Sequence, residues 1–298
     1  MVFNMGVDLG GTKTEVVILD SAQAVLQRER FATPAQDYDA ILSRIAAEFE
    51  RARSRYGREI TLGIGIPGAI SPRTGLLRNS NTACLNGRAF RSDLEQRTGC
   101  EVRVENDANC LALSEALGGA ARGYRVVFAV IVGTGTGGGL VVDGRLLGGP
   151  HAIAGEWGHN PLPWRRDDEL ACDCYCGKQG CIETFLSGPG LARNFEARFG
   201  KSLDSIEIVE AAAGGDADCR AMLDSYYDQM ARALAHVINI VDPDAIVLGG
   251  GMSNIDPIYR EVPRRLGDYV FSDFAETPLL KAARGDSSGV FGAALLWA

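Results

Sequence analysis

Two stretches of this chain share one plan: an apolar strand runs into a cluster of glycines and out again into a second strand. The first is Met5-Gly6-Val7-Asp8-Leu9-Gly10-Gly11-Thr12-Lys13-Thr14-Glu15-Val16-Val17. The second is the apolar run 126–132, then Gly133-Thr134-Gly135-Thr136-Gly137-Gly138-Gly139, then a further strand from Leu140. Glycine turns without steric cost and lets backbone N–H groups approach an anion closely. Asp8, just before the first turn, is a hard oxygen ligand suited to a magnesium ion beside phosphate. Residues 5–17 therefore read either as a phosphate-gripping hairpin or as an ordinary Gly-Gly hairpin turn.

Better-known phosphate motifs do not fit. Gly6 and Gly11 have the Walker spacing, but Thr12 stands where that loop needs lysine and no helix pattern follows. G-x-G-x-x-G occurs at Gly63/Gly65/Gly68 and Gly133/Gly135/Gly138, yet each is followed by turn or strand residues rather than a helix. Dinucleotide binding needs strand before and helix after, which argues against a dehydrogenase.

The repeated plan predicts two lobes. The first half reads as two strands joined by the glycine turn over residues 5–20, a third strand over 24–31, an amphipathic helix over 38–56, and a buried strand over 60–66. A polar loop carrying Asn79, Asn81 and Asn86 follows, then a helix over 91–98, a strand over 101–104 and a helix from Ala108. The second half reads as the strand over 126–132, a helix over 217–241, a strand over 244–248 entering Gly249-Gly250-Gly251-Met252, and a short C-terminal helix. The predicted division is a smaller lobe of 1–110 plus 286–298 and a larger lobe of 111–285. Each lobe would hold one side of a nucleotide's polyphosphate, and the glycines near 250 would let a flat base lie against backbone.

At 298 residues the chain can bury two substantial cores. Its net charge of −8, with no basic run, makes nucleic acid or an anionic membrane a poor partner, and no apolar stretch is long enough to span a bilayer. A cytoplasmic protein is the expectation. Four of the eight cysteines fall at 172, 174, 176 and 181, a cluster that in a cytosolic setting points to metal before disulfides.

With these residues in view, the chain resembles the ROK family of sugar kinases over essentially its whole length. Asp-Leu-Gly-Gly-Thr-Lys at 8–13 is similar to the family's first phosphate motif, and Glu-Asn-Asp-Ala-Asn at 105–109 to its catalytic segment. Gly-Glu-Trp-Gly-His at 155–159 and Cys-Tyr-Cys-Gly-Lys-Gln-Gly-Cys-Ile-Glu at 174–183 resemble its signature and zinc motif. The resemblance implies an α/β fold of the two-lobed actin-like ATPase type (ribonuclease H-like, hexokinase-type), with nucleotide and sugar in the interdomain cleft. It also implies ATP-dependent phosphorylation of a hexose hydroxyl, with Mg²⁺. Residues 79–87 and 155–164 most resemble bacterial fructokinases that also act on mannose, so the favoured reaction is D-fructose to fructose 6-phosphate. Mannose, glucose and N-acetylglucosamine kinases are the sibling alternatives. A sugar-sensing regulator is a reading from another class; such proteins carry an N-terminal helix-turn-helix, and only seven residues precede Asp8 here. A homodimer is the expected assembly.

Residue by residue, Asp107 is the candidate general base, with a helix N-cap as its structural alternative. Asp8 is expected to act indirectly, through magnesium. Gly6, Val7, Asp8, Leu9, Gly10, Gly11, Thr12 and Lys13 would line one side of the nucleotide. Gly133, Thr134, Gly135, Thr136, Gly137, Gly138, Gly139 and Leu140 would line the other, with Gly250, Gly251 and Met252 at the adenine. Asn81, Asn106, Asp107, Glu156, His159 and Glu183 would pair with sugar hydroxyls. Cys174-x-Cys176-x₄-Cys181 supplies three thiolates and His159 completes a Cys₃His set, a closed four-coordinate site and hence structural zinc. His159 would bind zinc through one ring nitrogen and touch sugar through the other. Cys172 is a possible competing ligand, and a redox cysteine cluster is the alternative reading. His151 and His236 carry no motif.

Overall fold

The computed structural model describes residues 2–57 and 59–298, apart from the side chain of Asp286. In chain order the first half runs β1 (Phe3–Leu9), β2 (Lys13–Leu19), β3 (Val25–Ala32), α1 (Tyr38–Tyr56), β4 (Ile60–Ile66), β5 (Ala69–Ile70), β6 (Leu77–Arg78), α2 (Phe90–Thr98), β7 (Val102–Asn106) and α3 (Asp107–Gly118). There follow β8 (Val126–Val132), β9 (Thr136–Val142), β10 (Arg145–Leu146), α4 (Glu183–Leu186), α5 (Gly188–Phe199), α6 (Ser205–Gly214), α7 (Ala217–Val241) and β11 (Ala245–Gly249). The chain ends with α8 (Ile258–Glu261), α9 (Pro263–Leu266), β12 (Leu279–Lys281) and α10 (Ser288–Leu295). No helix among the described residues is long and apolar enough to cross a membrane.

The chain divides into two compact units. The first comprises Met1–Gly123, Gly139–Ala154 and Ala283–Ala298; the second comprises Tyr124–Gly138 and Gly155–Ala282. One sheet has the order β3-β2-β1-β4-β7, and the other β10-β9-β8-β11-β12. Strand β9 starts in the second unit and ends in the first.

In the first unit β1 pairs antiparallel with β2 and parallel with β4, and β4 is parallel to β7. Helix α1 presents Ile41, Leu42, Ile45, Phe49 and Ala52 to this sheet; Asp37 caps its first turn and Gly57, at φ 98°, stops it. Helix α10 packs against β1, β4 and α3. That approach depends on glycine. Gly6 and Gly63 are register partners. A Cβ on Gly6 would meet the Val290 carbonyl oxygen at 2.2 Å, and one on Gly63 the Ala293 oxygen at 1.9 Å. Gly6 and Gly63 thus make a trough for a helix.

Two buried carboxylates hold the returning C-terminal segment. Glu15, 3% exposed, pairs with Arg28 and Arg30 and receives Ser287 Oγ. Glu115, in α3, accepts the Ala120 and Ala283 N–H groups and Ser288 Oγ at 2.8–3.0 Å. Buried charge persists only where such partners are supplied.

In the second unit β8 and β12 flank β11, all parallel. The β8 residues form a continuous apolar run, as a strand covered on both faces requires. Helix α7 buries Tyr226, Met230 and Leu234 along its length, and the Tyr226 hydroxyl donates to the Leu186 carbonyl at 2.9 Å. Buried Arg232 pairs with Asp228 and Glu169 and donates to the Pro163 and Trp164 carbonyls, anchoring the loop over 163–169.

Candidate active site

The first unit presents the β1–β2 turn. Gly10 N–H donates to the Lys13 carbonyl at 3.1 Å, and a Cβ on Gly10 would stand 2.8 Å from that oxygen. Asn81 is exposed and lies against the same turn: a Cβ on Gly11 would be 3.6 Å from Asn81 Oδ1 and 3.7 Å from Thr82 Oγ1. Thr12 and Lys13 are exposed at its tip. Gly6, Val7 and Leu9, expected along the nucleotide, are instead taken up by the core: Val7 and Leu9 are buried, and Gly6 serves the α10 trough.

Asp8 sits at the end of β1, and a Cβ on Gly289 would come within 2.9 Å of its Oδ2. Burial pushes its carboxyl up to about 7; the charges of Asp107 and Glu15 act the same way, and those of Lys13 and Arg30 oppose them. Near neutrality the carboxyl therefore still holds its proton in part.

Asp107 opens α3. The N-cap is Asn106, whose Oδ1 accepts the Ala108 N–H at 2.8 Å while its Nδ2 donates to the Gly68 carbonyl at 3.2 Å. Asn106 therefore braces the helix start against the Gly68 turn with both ends of its amide. Asp107, one residue on, is only partly buried and accepts from Ala108 N–H. Glu105 Oε2 accepts from Asn109 Nδ2 at 2.9 Å, steadying the same segment.

The second unit gathers another group. Gly133 N–H donates to Gly135 O at 2.9 Å, and the Gly133 carbonyl accepts the Gly188 N–H at 2.8 Å. A Cβ on Gly133 would lie 3.8 Å from Gly251 N, and one on Gly188 would lie 3.1 Å from Ser205 Oγ and 3.5 Å from Met252 Sδ. Gly250 turns at φ 81°, 2.5 Å from Val132 O by the same construction. The glycines at 133 and 250–251 and Met252 thus meet, together with Gly188 and Ser205, which the sequence did not single out. Gly138, Gly139 and Leu140 serve packing instead: a Cβ on Gly138 would strike Phe128 and Trp157 at 2.9 Å, one on Gly139 would strike Ala108 O at 2.8 Å, and Leu140 is buried.

Glu183 joins this loop to the cysteine cluster. Its Oε2 accepts the Thr136 N–H at 2.9 Å, and its Oε1 is 4.0 Å from Cys174 Sγ. Trp157 Nε1 donates to Gly137 O at 3.0 Å, fixing the short turn that carries His159. Glu156, just before that turn, is exposed.

The ligand atoms of His159, Cys174, Cys176 and Cys181 all lie within 4.8 Å of one another. His159 Nδ1 is 3.5 Å from Cys174 Sγ, and Cys176 Sγ is 3.6 Å from Cys181 Sγ. Tetrahedral Zn²⁺ with bonds of about 2.3 Å to sulfur and about 2.0 Å to nitrogen places neighbouring ligand atoms about 3.5–3.8 Å apart, so this donor set fits the metal. Cys172 is not among the four. The outer ring nitrogen, Nε2, is 2.9 Å from the Tyr175 hydroxyl, so the contact expected with sugar is made here by tyrosine. A sequence signal existed, since Tyr175 lies between two ligands.

Comparison with known proteins follows the same lines. Residues 4–298 match the ROK family profile. An N-acetyl-D-glucosamine kinase from Photobacterium profundum is 38% identical over 98% of both chains. An N-acetylgalactosamine kinase from a Shewanella strain is 39% identical, over 98% of this chain and 95% of that one. Among solved structures, a ROK hexokinase from Thermus thermophilus superposes with a TM-score of 0.87 at 31% identity, covering 99% of this chain and 97% of that one. A ROK glucokinase from Streptomyces griseus, in complex with glucose and AMPPNP, gives a TM-score of 0.76 at 28% identity, covering 99% and 98%. The fold is thus the α/β fold of the actin-like ATPases.

Proposed function

The chain belongs to the ROK family, and on that premise we propose that it phosphorylates N-acetyl-D-glucosamine at the 6-hydroxyl with Mg·ATP as donor. It is a sugar kinase acting on a hexose. One observation carries the finer reading: relatives named as N-acetyl-D-glucosamine kinases, from Photobacterium to Escherichia coli, keep 38–39% identity along 98% of the chain. The fructokinase reading rested on two short segments, 79–87 and 155–164. Whole-chain similarity samples every loop that shapes a sugar pocket and outweighs them.

In the proposed reaction Asp107 accepts the proton of the sugar 6-hydroxyl as that oxygen attacks the γ-phosphorus, the bond from the γ-phosphorus to the β,γ-bridging oxygen breaks, and ADP leaves. Phosphoryl transfer asks little more of a protein than a base, alignment and charge neutralisation. Backbone N–H groups of Gly11, Thr12 and Lys13, and of Thr134 and Gly135, are assigned to the triphosphate, with Gly10 and Thr136 shaping the two loops through their own internal bonds, and with Gly250, Gly251 and Met252 at the adenine. A magnesium ion, when bound, would screen the phosphate charge, and Asp8 is the residue assigned to it. Asn81, Asn106, Glu156 and Glu183 are assigned to the sugar, and His159 to the metal, with Tyr175 on its outer ring nitrogen. Zn²⁺ in the Cys₃His set would lock the loops bearing His159 and Glu183. A homodimer remains part of the proposal: Phe271 and Phe274, 99% and 64% exposed, are apolar surface suited to burial in an assembly.

The deciding experiment is an ADP-release assay with N-acetylglucosamine, N-acetylgalactosamine, fructose, mannose and glucose, ranked by kcat/KM. N-acetylglucosamine is expected to lead. A tenfold or greater preference for fructose, a gap within the roughly 10–200-fold reach of pocket discrimination, would return the assignment to fructokinase.

A further inference from the structure

We propose that Thr33 is a positioning residue that aims the first phosphate turn, and that Thr14 orients it. This rests on the reading of Gly10–Lys13 as nucleotide-binding. Thr33 follows β3 and precedes Pro34, which biases it to extended backbone. From there it reaches the β1–β2 turn twice. Its N–H donates to the Thr12 carbonyl at 2.9 Å, and its Oγ1 donates to the Gly10 carbonyl at 2.8 Å. Gly10 N–H is meanwhile satisfied by the Lys13 carbonyl.

The consequence lies in what remains. Two carbonyls of the turn are drawn toward Thr33. Among the described residues, no acceptor is bonded to the N–H of Gly11 or of Thr12. Consecutive backbone donors with their carbonyls tied back form an anion-binding concavity. Without the Thr33 hydroxyl, the Gly10 peptide could rotate and present its carbonyl, which repels phosphate.

The direction of the hydrogen bonds follows from counting protons. A threonine hydroxyl has one proton, and Thr33 gives its own to Gly10. Its 2.7 Å contact with Thr14 Oγ1 must therefore be donated by Thr14. Thr14 is 1% exposed, so no water competes for that proton. Two hydroxyls in series thus fix the orientation of one peptide. Neither belongs to the glycine motif, and neither is assigned to touch the substrate.

The test is Thr33→Val, which keeps shape and removes the hydroxyl, with Thr33→Ser as the conservative rescue and Thr14→Val as a second variant. All three are first matched to wild type by thermal unfolding. In Thr33→Val the KM for ATP, and the Kd for Mg·ATP by calorimetry, are expected to rise about fivefold or more, the scale of one buried hydrogen bond. The KM for sugar should stay within twofold. Thr33→Ser should restore ATP affinity, and Thr14→Val should weaken it to a smaller degree. Unchanged ATP affinity in both valine variants overturns the proposal. So does an equal rise in the KM for both substrates, the mark of a merely structural role. If Thr33→Val fails to fold, Thr14→Val alone decides by the same split. Failure of the kinase reading itself would look different: wild-type protein would neither bind nor consume Mg·ATP.

Discussion

Glu183 accepts the Thr136 backbone N–H at 2.9 Å, and its other carboxylate oxygen faces Cys174 at 4.0 Å. A single side chain thus ties the second glycine loop to the cysteine cluster. Glu183→Ala would leave the Thr136 N–H without its acceptor in a partly buried setting, a loss of about 1–3 kcal/mol. For a chain of this size we expect a fall in Tm of several degrees, together with a raised KM for ATP. Glu183→Gln keeps an acceptor oxygen and should recover most of the stability. Thermal unfolding and initial-rate kinetics on the pair check this.

Asp107→Asn keeps the size of the side chain and leaves the Asn106 cap in place, so the fold should persist. Loss of a general base lowers turnover by roughly 10²–10⁴-fold. We expect kcat to fall by at least the lower figure, with the sugar KM little changed. Near-normal turnover in a folded variant would remove Asp107 from the chemistry.

Asp8 makes stability depend on pH. Its folded carboxyl titrates at about 7 and its unfolded one at 3.8, so between those values the folded state holds more protons. Its contribution therefore weakens stability as pH rises from about 4 to about 7 and is constant above that. Asp8→Asn removes the ionisable group. Its stability gain over wild type, in the absence of nucleotide and metal, should be near zero at pH 4 and reach a few kcal/mol at most by pH 8. Because the Asp107 charge also raises Asp8, Asp107→Asn should shift the midpoint of this profile to lower pH. Denaturant titrations across pH 4–8 read both effects.

Metal analysis of protein purified under reducing conditions should find one zinc per chain. Cys181 is buried beside Cys176. Without metal, burial holds the Cys181 thiol up to about 12, so the thiolate form needs the cation. Cys181→Ser should lower zinc retention against a chelator by at least tenfold and reduce Tm, while Cys172→Ser should alter neither. If Cys172→Ser loses zinc and Cys181→Ser keeps it, the ligand set is wrong.

Much of the architecture was legible because its signals are local. The apolar stripe of α1, the unbroken run of β8 and the 217–241 periodicity each appear as elements within a residue or two of expectation. The metal donors were legible for the same reason, since three of them lie within eight residues. The less legible parts are those where one residue type serves two ends. Glycines that cradle phosphate and glycines that admit a helix look alike in sequence. Only the 1.9–2.2 Å approaches to α10 assign Gly6 and Gly63 to the second role.

The chain's sequence alone thus determined the strand–glycine–strand plan twice over, the Cys₃His donor set and kinship with sugar kinases. All of these are written in short-range periodicity and spacing. Tertiary structure decided that Thr33 reaches back 23 residues to Gly10, that Glu183 reaches 47 residues to Thr136, and that Asn106 rather than Asp107 caps α3. Hydrogen bonds of that kind depend on where folding delivers a donor and an acceptor. Separation along the chain carries no record of direction in space, so which polar side chain is spent on holding a loop, and which is left for chemistry, is settled only once the sheets and helices have packed.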